Sequence, residues 1–399
     1  MKQLNYSCIL FCYNIAVNFL TRQILIAASI FDRQASQALF IACVLFSCGC
    51  TEQQDEPTNT EVAHTFVGSD NCQNCHVSQS SDWQSSHHQA AMQVADASTV
   101  LGDFSDASID YYLSNTEFLT IDGDYIVRTE NESGSKQDFK VTHTFGVKPL
   151  QQYLVDFPGG RKQALPFLWD TRSPKDGGQR WFHLYPDEYI EPGDELHWTG
   201  SNFNWNYACA ECHSTNLKMG YDATTDTFDT TWSEISVGCE ACHGPGSEHV
   251  RQADAKYFDE HHGLKLSLDD QGNAIWIMNV ETGTAERNQP RSHPQRQAEA
   301  CGRCHSRRIG IVSEYEYGKA LTATHLPAFL DDGLYFADGG IQDEVYVYGS
   351  FLQSKMYQAG VTCSDCHNPH SGELKTGPDS NDVCAQCHLP STFANTDHY

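Results

Sequence analysis

Hydrophobic and polar positions divide this chain of 399 residues into segments of different kinds. Two apolar runs open it, CILFCYNIAVNFL at 8–20 and ALFIACVLFS at 38–47, and the polar stretch TEQQDEPTNTE follows. The second run is far short of the roughly 20 residues that span a bilayer as a helix. Preceded by Arg33, it reads as the core of an export signal. Between 101 and 198 the runs DYIVRTE, DFKVTHTFG and QRWFHLYP, bounded by Gly, Asp, Asn and Pro, predict strands of a small β-rich insert. WQSSHHQAAM at 83–92 predicts a helical stretch with Trp83 and His87 on one face and His88 alongside. The polar, Pro-punctuated stretch 279–300 predicts a connecting loop that ends in a helix before Cys301. Elsewhere the pattern supports only short helices and irregular chain.

The formal charge is −27, so the surface repels phosphate backbones and anionic headgroups. Nucleic acid is excluded as a partner, and a basic protein fits better. Seventeen cysteines first suggest disulfides in an exported chain. Their positions point elsewhere. Twelve of them form six Cys-x-x-Cys-His units: Cys72/Cys75/His76, Cys209/Cys212/His213, Cys239/Cys242/His243, Cys301/Cys304/His305, Cys363/Cys366/His367 and Cys384/Cys387/His388. The other five (Cys8, Cys12, Cys43, Cys48, Cys50) all lie in the first fifty residues.

Cys-x-x-Cys-His is the attachment signature of c-type haem. Positions i, i+3 and i+4 share one helical face. Two thiols can then bond the porphyrin edge while the histidine binds iron from the proximal side. Zinc ribbons, redox dithiols and disulfides are the rival readings, but zinc chemistry does not require His after every second Cys. The expectation is six covalent haems c, held in short helices and loops that wrap around them. That makes an α+β chain with few regular elements and a β-rich insert between the first two haems. The segments expected are 1–50 (export signal), 51–62 (tether), 63–100 (haem 1), 101–198 (insert), 199–278 (haems 2 and 3), 279–300 (linker) and 301–399 (haems 4 to 6).

Each iron has a second axial position, and thirteen histidines remain for it against few methionines. His370 lies too close to His367 in CHNPH to reach round the same ring, so it serves a neighbouring haem or none. That implies closely packed haems. His249 holds a similar place after its own motif, and one of His87 and His88 is a further candidate. His183, His197 and His325 follow, then His143, His293 and His398, while His261 and His262 read as surface residues. Haem c is attached outside the cytoplasm. Leu45-Phe46-Ser47-Cys48 resembles a lipobox, which would leave Cys48 as a lipidated N-terminus. The expected location is periplasm or outer membrane, on a lipid anchor.

Taken together, NCQNCH with WQSSHHQAAM, PGGRKQAL with GGQRWFHLYP, NWNYACAECHSTN, VGCEACHGPGSEH and YGSFLQSKMYQAGVTCSDCHNPHS resemble multihaem cytochromes of the cytochrome c-552/c-554 kind. Within these the likeness is to the haem-rich half of a bacterial branch that continues into tetratricopeptide repeats. It covers residues 66 to 390. The resemblance implies electron transfer through stacked haems and favours His88, His249 and His370 as distal ligands. Only eleven residues follow His388, without repeats. Two functions follow. One is an electron carrier between unidentified donor and acceptor proteins. The other is an oxidoreductase with one open-faced haem acting on a small nitrogen or sulfur compound. No Cys-x-x-Cys-Lys occurs, which counts against ammonia-forming nitrite reduction.

Overall fold

The computed structural model describes residues 63–290, 295–328 and 330–396. The export signal, tether, Cys48, His293 and His398 therefore lie outside the described residues. Val62–Tyr399 forms one compact unit of short helices, irregular chain and a large antiparallel sheet.

The sheet has nine strands: β1 Gln93–Val94, β2 Ala107–Tyr111, β3 Ser114–Ile121, β4 Asp124–Glu130, β5 Lys136–Phe145, β6 Leu150–Asp156, β7 Lys162–Ala164, β8 Phe167–Asp170 and β9 Arg180–His183. Its order is β2-β3-β4-β5-β6-β8-β9, with β1 on β5 and β7 on β6. Sequence dictates the local choices. Asp122 and Gly123 both take positive φ (53° and 88°) between β3 and β4, as a tight two-residue hairpin requires. Along β5 the register shifts between Val141 and His143. This bulge moves the buried face from Phe139 and Val141 to Thr144. The core is aromatic. Phe118 stacks on Trp181 at 3.6 Å, and Phe104 meets Phe118, Tyr153 and Trp181 edge-on.

The rest of the chain carries the Cys-x-x-Cys-His motifs on short helices and, for the first motif, on a turn. Part of the expected 279–300 loop is ordered differently. Trp276–Asn279 and Thr284–Arg287 pair as a hairpin, and helix Arg296–Gly302 follows. The paired strands satisfy backbone groups that an open loop would leave to water.

Candidate haem-binding sites

Each motif closes one helical turn. The His76, His305, His367 and His388 N–H groups donate to the carbonyls of Cys72, Cys301, Cys363 and Cys384 at 2.8–3.0 Å. Ala210–His213 and Cys239–His243 are helices outright. Thr362 and Asp365 form a capping box that starts the turn at Cys363. Both thiols and the histidine thus lie along one face, the arrangement that thioether attachment and proximal ligation need. Among the described residues no three His, Cys, Asp or Glu side chains converge on one metal ion.

In the first motif Cys72 is half-buried beside Cys239, whereas Cys75 is exposed. The Cys75 N–H donates to the Cys72 carbonyl at 3.2 Å. Residues 74–79 are all exposed, so this turn runs along the surface and its first cysteine packs inward against the third motif. Cys242 and Cys384 are exposed as well, and the remaining motif cysteines are half-buried.

Three motif histidines face a second imidazole. His76 stands 5.9 Å from His249, His305 6.3 Å from His88, and His243 6.4 Å from His370, ring centre to ring centre. Metal–imidazole bonds of about 2 Å on either side, with each ring centre about 1 Å beyond its nitrogen, place two axial imidazoles about 6 Å apart. The three separations fit that figure. Each pair joins one motif histidine to one histidine outside the motifs.

Hydrogen bonds set the tautomers. His249 Nδ1 donates to the His262 carbonyl at 2.7 Å, and His213 Nδ1 donates to the Ala91 carbonyl at 3.1 Å. With one nitrogen so committed, the other keeps its lone pair for a metal. The Pro369 backbone lies beside the His88 ring. Burial, then the neighbouring His370, His76 and His249, hold the His243 imidazole down at about 4.

The other candidates have different surroundings. His183 stacks on Tyr111 at 3.6 Å, and its Nδ1 accepts from the Tyr185 N–H at 3.1 Å. His197 is buried with Nδ1 on the Thr199 hydroxyl at 2.8 Å. His325 has both ring nitrogens engaged, by Thr324 Oγ1 at 2.9 Å and Glu211 Oε1 at 2.8 Å. His87 is exposed. None of the four faces a motif histidine. Among the described residues no histidine ring faces His213, His367 or His388 either. Phe145 lies 5.8 Å from His213, and Phe393 lies 4.9 Å from His388.

The attachment sites adjoin one another. Cys72 neighbours Cys239, Cys212 neighbours Cys304 and Cys301 neighbours Cys363. Arg303 Nη1 reaches the Ala241 carbonyl at 3.5 Å. The fourth motif therefore borders the second, third and fifth, and the first borders the third.

Sequence reasoning missed the charges that lock these contacts. Glu211, inside CAECH, meets Arg303 at 3.4 Å, Arg308 at 3.1 Å and His325 at 2.8 Å. Burial pushes the Glu211 carboxyl up, but the His325 hydrogen bond and the two guanidinium charges win and hold it down at about 2. Glu240, inside CEACH, is buried and accepts from the Val67, Gly68 and Gly246 N–H groups, tying the segment before Cys72 to the third motif. The available signal was a charge between the two cysteines of a motif, where the chain is pinned on both sides.

Comparisons with known proteins agree with this chemistry. Residues 71–108 and 191–244 match the family described as cytochrome c554 and c-prime. Residues 356–392 match a doubled CXXCH motif. The chain is 22% identical over 227 residues to the multiheme cytochrome MtrA of Shewanella baltica (strain OS185). That alignment covers 54% of this chain and 63% of the relative, so it spans less than two thirds of the relative's length. The fold resembles the crystal structure of the outer cell wall cytochrome OcwA, with a TM-score of 0.51 and 17% identity. That likeness covers 82% of this chain and 68% of the other. The chain is a multihaem c-type cytochrome. It holds haem c through its Cys-x-x-Cys-His motifs.

Proposed function

We propose that the protein is a hexahaem electron carrier of the bacterial cell envelope, in which at least three irons have two histidine ligands. One observation carries this reading: three motif histidines each face an outside histidine at 5.9–6.4 Å. The ligand sets are His76 with His249, His243 with His370, and His305 with His88. The twelve motif cysteines supply the thioether bonds, Cys75 from the surface and its partner Cys72 from within. Haem iron supplies one-electron chemistry between the ferric and ferrous states. The protein's part is to saturate these irons, so that they exchange electrons rather than bind substrate. It also brings neighbouring sites into contact through Cys72/Cys239, Cys212/Cys304 and Cys301/Cys363. Donor and acceptor are redox proteins, and the charge of −27 favours basic ones. Export and a lipid anchor at Cys48 belong to the same proposal.

A second reading, an oxidoreductase with an open-faced haem, is favoured by one feature. No histidine among the described residues faces His213, His367 or His388. Electron paramagnetic resonance of the oxidised holoprotein, with carbon monoxide titration after reduction, separates the two readings. The carrier gives low-spin ferric centres only and takes up no carbon monoxide, whereas a high-spin ferric signal with carbon monoxide uptake favours the oxidoreductase. Carbon monoxide on more than three haems would defeat the ligand assignment.

A further inference from the structure

The turn after the fifth motif touches two of the facing pairs at once. Asn368 uses all four of its polar groups there. Its N–H donates to the Glu373 carbonyl at 2.9 Å, and its carbonyl accepts from the Gly372 N–H at 2.8 Å. Its Oδ1 accepts from the His370 N–H at 3.1 Å, a local turn that fixes where the His370 side chain departs. Its Nδ2 donates to Asp82 Oδ2 at 2.9 Å, a bond between residues 286 positions apart. Asp82 lies on helix Val77–Gln84, which starts directly after His76. Next to Asn368 sits Pro369, whose ring fixes φ and whose backbone lies beside the His88 ring. The adjoining residue is His370, which faces His243.

We propose that Asp82 and Asn368 form a clamp that positions the distal histidines of two haems together, His370 toward His243 and His88 toward His305. This rests on the reading of those histidines as iron ligands. Pro369 and His370 adjoin Asn368, so movement of the turn displaces both the imidazole of one pair and the backbone that lies beside the other. Sequence reading treats the asparagine as part of a turn. The 2.9 Å bond to Asp82 is the added observation, because it ties that turn to the helix leaving the first motif. Asp82 and Asn368 are positioning residues and touch no iron.

The test uses the exported holoprotein, carbon monoxide titration of the reduced form, the ferric spin state and far-ultraviolet thermal unfolding. N368D sets two carboxylates face to face while an oxygen remains for the His370 N–H. It is expected to raise carbon monoxide uptake by up to two per chain, with a matching gain in high-spin ferric signal. Adding D82N to N368D reverses donor and acceptor across the same gap, so uptake is expected to return to the wild-type value. D82A, which leaves the 368–370 turn intact, is expected to behave like N368D. A purely structural contact would lower the melting temperature and leave spin state and uptake unchanged, and that result would overturn the proposal. H370A and H88A test the underlying reading separately. Each raises uptake by one per chain if these are ligands, whereas no change in either shows that the ligand assignment itself has failed.

Discussion

Replacing Glu211 with glutamine removes one charge while keeping the shape of the side chain. Arg303 and Arg308 have side chains only 7% and 9% exposed, and Glu211 itself is 29% exposed. Its carboxylate lies 3.1–3.4 Å from both guanidinium groups and 2.8 Å from His325 Nε2. At an effective dielectric constant near 20, each ion pair at such range is worth about 4 kcal/mol before desolvation. Removing one partner of a buried pair typically costs about 3–5 kcal/mol, because the other charge stays buried. Glutamine still offers hydrogen bonds and Glu211 is partly wet, so the expected loss is about 2–4 kcal/mol. Thermal unfolding should then fall by roughly 2–6 °C for a chain of this size. The control is E314Q, the same charge change in the exposed Lys218–Glu314 pair at 2.6 Å, where no measurable shift is expected. Equal melting temperatures for E211Q and E314Q would refute the argument that this cluster locks the second and fourth motifs together.

Other outcomes follow from the same structure. H249A should convert one iron per chain to a high-spin, carbon monoxide-binding form, read by titration of the reduced protein. Burial, then Lys162, pushes the His143 imidazole down from 6.5 to about 4. The unfolded chain therefore takes up that proton first, and stability drains away as pH falls from 6.5 toward 4, by on the order of 1–3 kcal/mol. H143N should remove that part of the slope in denaturation midpoints measured across the window. Phe118→Ala deletes a fully buried ring stacked at 3.6 Å on Trp181. It should cost about 3–5 kcal/mol in unfolding free energy.

The motifs were legible because their chemistry is local: a cysteine, a cysteine three on and a histidine next fit one helical turn. Their surroundings were not. Nothing in CQNCH distinguishes Cys72, which packs inward, from Cys75, which stays at the surface, because that difference is set by the third motif 167 positions on. The strands of 124–130 and 138–145 were plain, since alternation and turn residues are local signals too. The bulge at Val141/His143 was not, because it answers to the neighbouring strand. Distal histidines were legible only as a pool of candidates. His249 is 173 positions from His76 and His88 is 217 from His305, and no pattern in sequence ties such partners. His261–His262 read as surface and are exposed, and the His262 backbone carbonyl orients His249. His325 read as a possible ligand and instead closes the Glu211 cluster, a pairing across 114 positions.

The intact mass of the exported protein, measured under denaturing conditions, tests the account at its root. Thioether bonds survive unfolding, so the chain should carry the mass of six haem groups with no free thiol in any Cys-x-x-Cys-His motif, the exposed Cys75 included. A chain with fewer, or one that loses its haem when denatured, would contradict it.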